Sequence, residues 1–402
     1  MIFLEKMKKI ILILGLIIGI SIFILLLFVL KNQSVISNSE GQNFITNQQD
    51  QKNNNLINTN NVYIEPKPEK LSDPPSEIKA IYADSWSISN TSTIDRLITI
   101  IKKHNFNALV FDVQSKDGNI AYDFNNAQLD KYNIKKDTIG NIDILINKLH
   151  KNNIYTIARI VCFKNTALAL NNPNLAIKIN NKIWKDNSGM SWLDPSSKDV
   201  WNFVLTLAKD IKNHSVDEIN FDYMRFPSDG AIDLLQYPFY QNDVPKKDII
   251  NNFFKYLRQN LSDIKISADV FGQTTSSKND MGIGQIIENA YKYFDYVSPM
   301  IYPSLYVNNF LDFENSHQHP YEIVKYEVQS ALERLIKMQE NSSTTIDTKL
   351  RPWLQAFSLD IDYTPEMIQK EIQGYYDSIA STTFAGLTNG FMLWDTNNIY
   401  NF

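Results

Sequence analysis

From Ile78 onward the chain alternates between two hydrophobic rhythms. Short runs of β-branched and aromatic residues bounded by turn residues read as strands: Ile78–Trp86, Ala108–Gln114, Tyr155–Phe163, Glu218–Phe226, Lys265–Gly272, Tyr296–Pro303, Pro352–Phe357 and Gly390–Asp395. Between them, apolar residues recur at helical spacing near 91–104, 139–152, 197–213, 246–261, 283–294, 321–338 and 364–380. In the first of these Ile94, Leu97, Ile98 and Ile101 share one face. Asp194-Pro195-Ser196-Ser197 supplies a start signal for the third, and Thr364-Pro365-Glu366 one for the seventh. Gly282-x-Gly284 lacks the third glycine of a phosphate-binding loop and reads as the start of the fifth.

Strands alternating with helices predict a parallel sheet, and eight of them predict a closed α/β (β/α)8 TIM-type barrel over residues 77–402. After the eighth strand only 396–402 remains, too short for an eighth helix. Either that slot is open or the segment before Ile78 covers it.

Upstream the rhythm is absent. Lys6, Lys8 and Lys9 precede an uncharged apolar run, Ile10–Leu30, long enough to cross a hydrocarbon core of ~30 Å as a helix. The lysines lie before the run, so residues 1–30 read as a cytoplasmic tail and an uncleaved transmembrane signal anchor, with the rest of the chain outside the cytoplasm. Residues 31–76 are rich in Asn, Gln and Ser and then in Pro; they read as a disordered linker, because they cannot bury enough apolar surface to fold.

Composition narrows the function. A net charge of −5 argues against a nucleic-acid partner, which needs a basic surface. The single cysteine, Cys162, lies in an apolar run; it permits no intramolecular disulfide and reads as a small buried hydrophobe. His317 and His319 stand in a polar loop with no third ligand in view, and the chain shows no cofactor motif.

The chemistry of such a barrel gathers at the C-terminal ends of the strands. Those ends deliver Asp84 and Trp86, Asp112, Arg159, Asp222 with Arg225, Asp269, Tyr302, Gln355, and Trp394 with Asp395. Carboxylates with aromatic platforms suit glycosidic cleavage, which takes one carboxylic acid to protonate the leaving oxygen and a second carboxylate as nucleophile or as base for water. Asp222 and Asp269 end adjacent strands, so each raises the other's cost of ionising; proximity alone leaves open which is the acid. Trp86, Asp84, Asp112, Arg159, Arg225, Tyr302, Gln355, Trp394 and Asp395 are the candidate substrate-binding groups. The loops 164–196, with Trp184 and Trp192, and 227–245, with Tyr237, Phe239 and Tyr240, leave strand ends and are expected to overhang the site. The same rim suits a catalytically silent barrel that grips an envelope glycan.

Three segments taken together, Phe221-Asp222-Tyr223-Met224-Arg225-Phe226-Pro227, Ser267-Ala268-Asp269-Val270-Phe271-Gly272 and Val297-Ser298-Pro299-Met300-Ile301-Tyr302-Pro303, resemble a family of predicted bacterial glycoside hydrolases. That family is classed as a domain of unknown function and occurs on exported proteins; its barrel is similar to that of α-amylase-type hydrolases. The resemblance covers about residues 77–402. It implies a nucleophilic aspartate at the end of the fourth strand, matched by Asp222, and an acid at the end of the fifth. There the α-amylase type has a glutamate and this chain the shorter Asp269; Asn220 stands where that type has an arginine. The expected substrate is a polysaccharide.

Overall fold

The computed structural model describes residues 67–359 and 361–400. Eight parallel strands form a closed ring: β1 Ile78–Ala83, β2 Ala108–Asp112, β3 Tyr155–Val161, β4 Glu218–Asp222, β5 Lys265–Phe271, β6 Tyr296–Ile301, β7 and β8 Gly390–Trp394. β7 is in two pieces, Lys349–Leu350 and Trp353–Gln355, because Arg351-Pro352 interrupts it. Closure is explicit in the pairing: β8 lies beside β1 with Ile78 opposite Gly390, and β5 lies beside β6 with Asp269 opposite Ser298. The expected barrel is present.

Each strand ends one to four residues earlier than its apolar run. β4 stops at Asp222 because Tyr223 takes a left-handed backbone, φ 54°, which breaks the extended alternation. The rest of each run forms the rim.

The helices that lead from each strand to the next are α1 Thr91–Lys103, α2 Ile142–Lys151, α3 Lys198–Lys212, α4 Lys246–Asn260, α5 Ile287–Tyr291, α6 Pro320–Asn341 and α7 Pro365–Ile379, and two short helices, Ala127–Asp130 and Thr166–Asn171, lie within the connections. Their starts follow the sequence. Asn90 accepts from the amides of Ser92 and Thr93, Ser197 from Val200, and Thr364 from Met367 with Pro365 in the first turn. α1 buries Ile94, Leu97, Ile98 and Ile101, each contributing about 1.5–3 kcal/mol by leaving water. Gly282-x-Gly284 does not start a helix. Both glycines have positive φ and α5 begins only at Ile287; a Cβ on Gly284 would lie 2.8 Å from the Lys246 carbonyl, so the pair forms a turn pressed against α4. Between α7 and α1, Phe391 of β8 packs edge-on against Tyr376 and Phe106. Near the C-terminus, the Tyr400 hydroxyl donates to the Tyr82 carbonyl and accepts from the Tyr82 amide.

The barrel interior is layered. At the floor, Glu218 forms a fully buried ion pair with Arg351, whose guanidinium lies 4.2 Å from the Tyr296 ring. Beside Glu218 in register is Ile157, and Asn220, Ser267, Ser298, Trp353 and Met392 are likewise buried. Of the segment 31–76, residues 67–76 are described, and they dock under the floor. The Leu71 amide donates to Asp217 at 3.0 Å, and its side chain packs against the interior cluster. The second Asp217 oxygen binds His150 and Thr156. The expected signal anchor, Ile10–Leu30, lies outside the described residues; among the described residues no helix is long and apolar enough to cross a membrane.

Candidate active site

Pairing register brings the polar residues together. Inward-facing positions alternate along each strand, so Arg159, Asn220, Asp222, Ser267 and Asp269 share the barrel interior. Asp112 is the Cα partner of Arg159, and Phe221 of Ala268, which sets Asp222 level with Asp269 one step on.

Arg159 is the hub. Its Nη1 donates to Asp112 at 2.5 Å, its Nη2 to Asp222 at 2.5 Å, and its Nε lies 3.9 Å from an Asp269 oxygen. Burial works against the guanidinium charge, but Asp112 and then Asp222 outweigh it and hold the group more firmly protonated than usual. The carbon of this guanidinium lies 4.8 Å from the Trp394 ring and 5.7 Å from Tyr82, and Tyr82 and Trp394 stack at 3.8 Å. The Tyr82 hydroxyl donates to the other Asp112 oxygen at 2.5 Å.

The two catalytic candidates are held differently. Asp222 accepts from Arg159 on one oxygen and from the Tyr223 amide on the other, so a donor meets each of its oxygens. Asp269 is 1% exposed. One of its oxygens accepts from Asn220 at 2.8 Å and from the Trp353 indole at 2.7 Å; the other has no hydrogen-bond partner. Burial and then the neighbouring Asp222 push the Asp269 carboxyl well above the usual aspartate range, with Arg159 and the two donors opposing. One aspartate thus meets donors on both oxygens while burial and its neighbour disfavour the charged form of the other, an asymmetry that suits acid–base work on a leaving oxygen.

Both line a cavity of about 440 Å³ at the C-terminal rim, with Arg159, Arg225, Tyr302, Trp394 and Phe357 among its walls. A Cβ on Gly272 would fall 2.5 Å from the Met300 carbonyl, so only glycine lets that edge of the wall close. The left-handed turn at Tyr223 aims its ring at Trp192, edge-on at 5.6 Å. Among the described residues no set of three or more His, Cys, Asp or Glu converges to hold a metal.

The remaining candidates are placed elsewhere or otherwise engaged. Trp86 is 75% exposed and is not part of the cavity wall. Asp84 accepts from the Ser87 amide and Asp395 from the amides of Asn397 and Ile399, so both fold rim loops. Gln355 is fully buried and binds Ser304 and the Phe357 carbonyl. Asp112 reaches the site through Arg159. Of the loop aromatics, Trp192 is buried with its indole on Asp186, and Tyr237 and Tyr240 pack on Phe226, so these pin the loops. Tyr82, Tyr223, Phe271 and Trp353 were not anticipated. Asn220 had a signal, a polar residue on the same strand face as Asp222; Trp353 had none beyond its place beside Pro352.

A closed parallel barrel whose rim sets paired buried carboxylates over a cleft has the build of a (β/α)8 glycoside hydrolase domain. The chain belongs to the family described as "Putative glycosyl hydrolase domain", whose model matches residues 80–400. No curated protein matches it. Among solved structures it is similar to a hypothetical protein from Ruminiclostridium thermocellum ATCC 27405, at 33% identity over 47% of this chain and 97% of that one, TM-score 0.43. It is also similar to the α-galactosidase TtGalA from Thermus thermophilus, at 12% identity over 82% and 60%, TM-score 0.45. A third is the glycoside hydrolase domain of PelA from Pseudomonas aeruginosa, at 9% identity over 81% and 97%, TM-score 0.43.

Proposed function

We propose that this domain cleaves glycosidic bonds of a polysaccharide with Asp222 and Asp269 as its two carboxylates. The observation that carries the reading is their unequal setting on one cleft wall. Asp222 has both oxygens occupied by donors and acts as nucleophile or as base for water. Asp269, whose carboxyl is pushed upward by burial and by Asp222, acts as general acid. Trp394 and Tyr302 line the same cleft and give it aromatic walls for sugar rings. The uncharged run Ile10–Leu30 would hold the chain in a membrane as a single-pass anchor, with the barrel outside the cytoplasm where such glycans lie.

The test is Asp222→Asn with far-UV circular dichroism and thermal unfolding as folding controls. Cleavage should fall by roughly 10²–10⁴-fold with the fold retained; undiminished cleavage would remove Asp222 from the mechanism. One observation favours a second reading, a silent glycan-binding barrel: the partnerless Asp269 oxygen is itself buried. That reading predicts glycan affinity without turnover in the unmodified protein.

A further inference from the structure

Arg225 lies on the same cleft wall as Asp222, yet its charge is handled differently from that of Arg159. The residue is 7% exposed. Its guanidinium sits 4.4 Å from the Phe271 ring, 4.8 Å from Trp192 and 5.3 Å from Tyr223. Hydrogen bonds engage only Nη1, which donates to the Phe226 carbonyl at 3.0 Å and to the Ser228 hydroxyl at 3.2 Å. Among the described residues no carboxylate forms an ion pair with it. The acids nearest in its surroundings are occupied: Asp222 by Arg159, Asp186 by Lys164 and the Trp192 indole, and Asp229 by the Asn187 amide. Burial accordingly pulls this guanidinium below its ordinary value, the opposite direction from Arg159.

A buried cation without a counter-ion is costly to keep. The three rings offset part of that cost through cation–π attraction. With hydrogen bonds on Nη1 alone, Nε and Nη2 have no hydrogen-bond partner among the described residues, and that side of the guanidinium is the planar fork that meets a carboxylate in two parallel hydrogen bonds. A neutral sugar would leave the charge unanswered.

We propose that Arg225 forms an anion subsite of this cleft and that the glycan it serves carries carboxylates, as a uronic-acid-containing polysaccharide does. This rests on the glycan reading above. The carboxylate of a bound residue lies on the Arg225 fork while its ring stands over the wall that holds Asp222 and Asp269.

The experiment is equilibrium binding of the full chain to three probes. The first is a set of short galacturonate, glucuronate and mannuronate oligosaccharides. The second is the same set with every carboxyl reduced to hydroxymethyl, and the third a sulfated oligosaccharide of matching length. The acidic set should bind tighter than its reduced counterpart by roughly 10- to 100-fold, a margin that shrinks as salt is raised. Arg225→Gln should erase the margin. Arg225→Lys, which keeps the charge without the fork, should retain a fraction of it, and it serves if the glutamine variant does not fold. Equal binding of acidic and reduced probes, a margin that survives Arg225→Gln, or no binding of any acidic probe overturns the subsite. Sulfated probe bound as tightly as the uronates overturns the carboxylate assignment. Acidic oligosaccharides bound through Arg225 but left uncut by the unmodified protein would sink hydrolysis and leave the subsite standing; neutral probes cut without acidic preference would do the reverse.

Discussion

Arg159 meets Asp222 through Nη2 and one carboxylate oxygen, 2.5 Å apart in a fully enclosed setting. The same guanidinium also holds Asp112, so it is the cation that lets these two acids stand inside the barrel. Arg159→Gln should leave those acids buried and unanswered and destabilise the domain by about 3–5 kcal/mol. Urea unfolding monitored by tryptophan fluorescence reads this directly. Arg159→Lys, which keeps the charge but not the fork, should lose less; equal loss in both would assign the effect to packing.

Trp353 donates its indole hydrogen to Asp269, and donation to a carboxylate favours its ionised form. Trp353→Phe removes that donor, so the already raised Asp269 carboxyl should rise further. If Asp269 is the acid, activity is lost as pH climbs through its ionisation, and the basic limb of kcat/KM against pH should move to higher pH in the variant. A limb that stays put, with the enzyme folded, would separate Asp269 from that limb.

The floor pair tests the opposite end of the barrel. Glu218 and Arg351 are both fully buried and far from the cleft wall. Glu218→Gln should cost about 3–5 kcal/mol, since it strands a buried guanidinium. Cleavage per folded molecule should be unchanged, measured by active fraction at low temperature. A drop in turnover without a drop in stability would contradict the structural role.

Glu327 on α6 gives stability a pH signature. Its carboxyl accepts from Thr275 and, at 3.1 Å, from Ser276. Burial, only partly opposed by such donors, pushes it up to about 8 from an ordinary 4.5. The unfolded chain gives up this proton more readily than the folded one. The stability it contributes is therefore whole below about pH 4.5 and is lost as pH rises through about 8, a swing on the order of a few kcal/mol. Glu327→Gln should flatten that decline, so that the Tm difference between pH 5 and pH 9 shrinks. An unchanged difference would place the pH response in other groups.

The eight strands and the order of helices were legible because two hydrophobic periods alternate without interruption from Ile78 to Trp394. The strand ends were not. Nothing in Phe221–Phe226 marks Tyr223 as a left-handed residue, since a bulky side chain there goes against local preference and is held by Asp222 and Trp192. At the site, Asp112, Arg159, Asp222 and Asp269 could be read from ionisable groups on inward faces of core strands. Asp84, Gln355 and Asp395 look the same in sequence, yet the chain turns just beyond each and uses it to satisfy backbone or loop groups. Tyr82 and Trp353 read as ordinary core aromatics; their polar atoms matter because the barrel's curvature brings distant strands to one carboxyl group. Gly282-x-Gly284 misleads for a related reason, as glycines before a helical run can equally make the turn that delays it.

The placing of Leu71 under the barrel floor and of Tyr400 beside Tyr82 near the rim gives the domain two unlike poles. Residues 67–76 lie at the closed pole. A fluorescent label, a bead or a surface to which the chain is grafted on that side leaves the mouth facing open medium. A label held at Tyr400 stands near the rim and competes with a long polymer for approach. For immobilised or fused forms of this protein, the amino-terminal side is the handle and the carboxy-terminal side is the doorway.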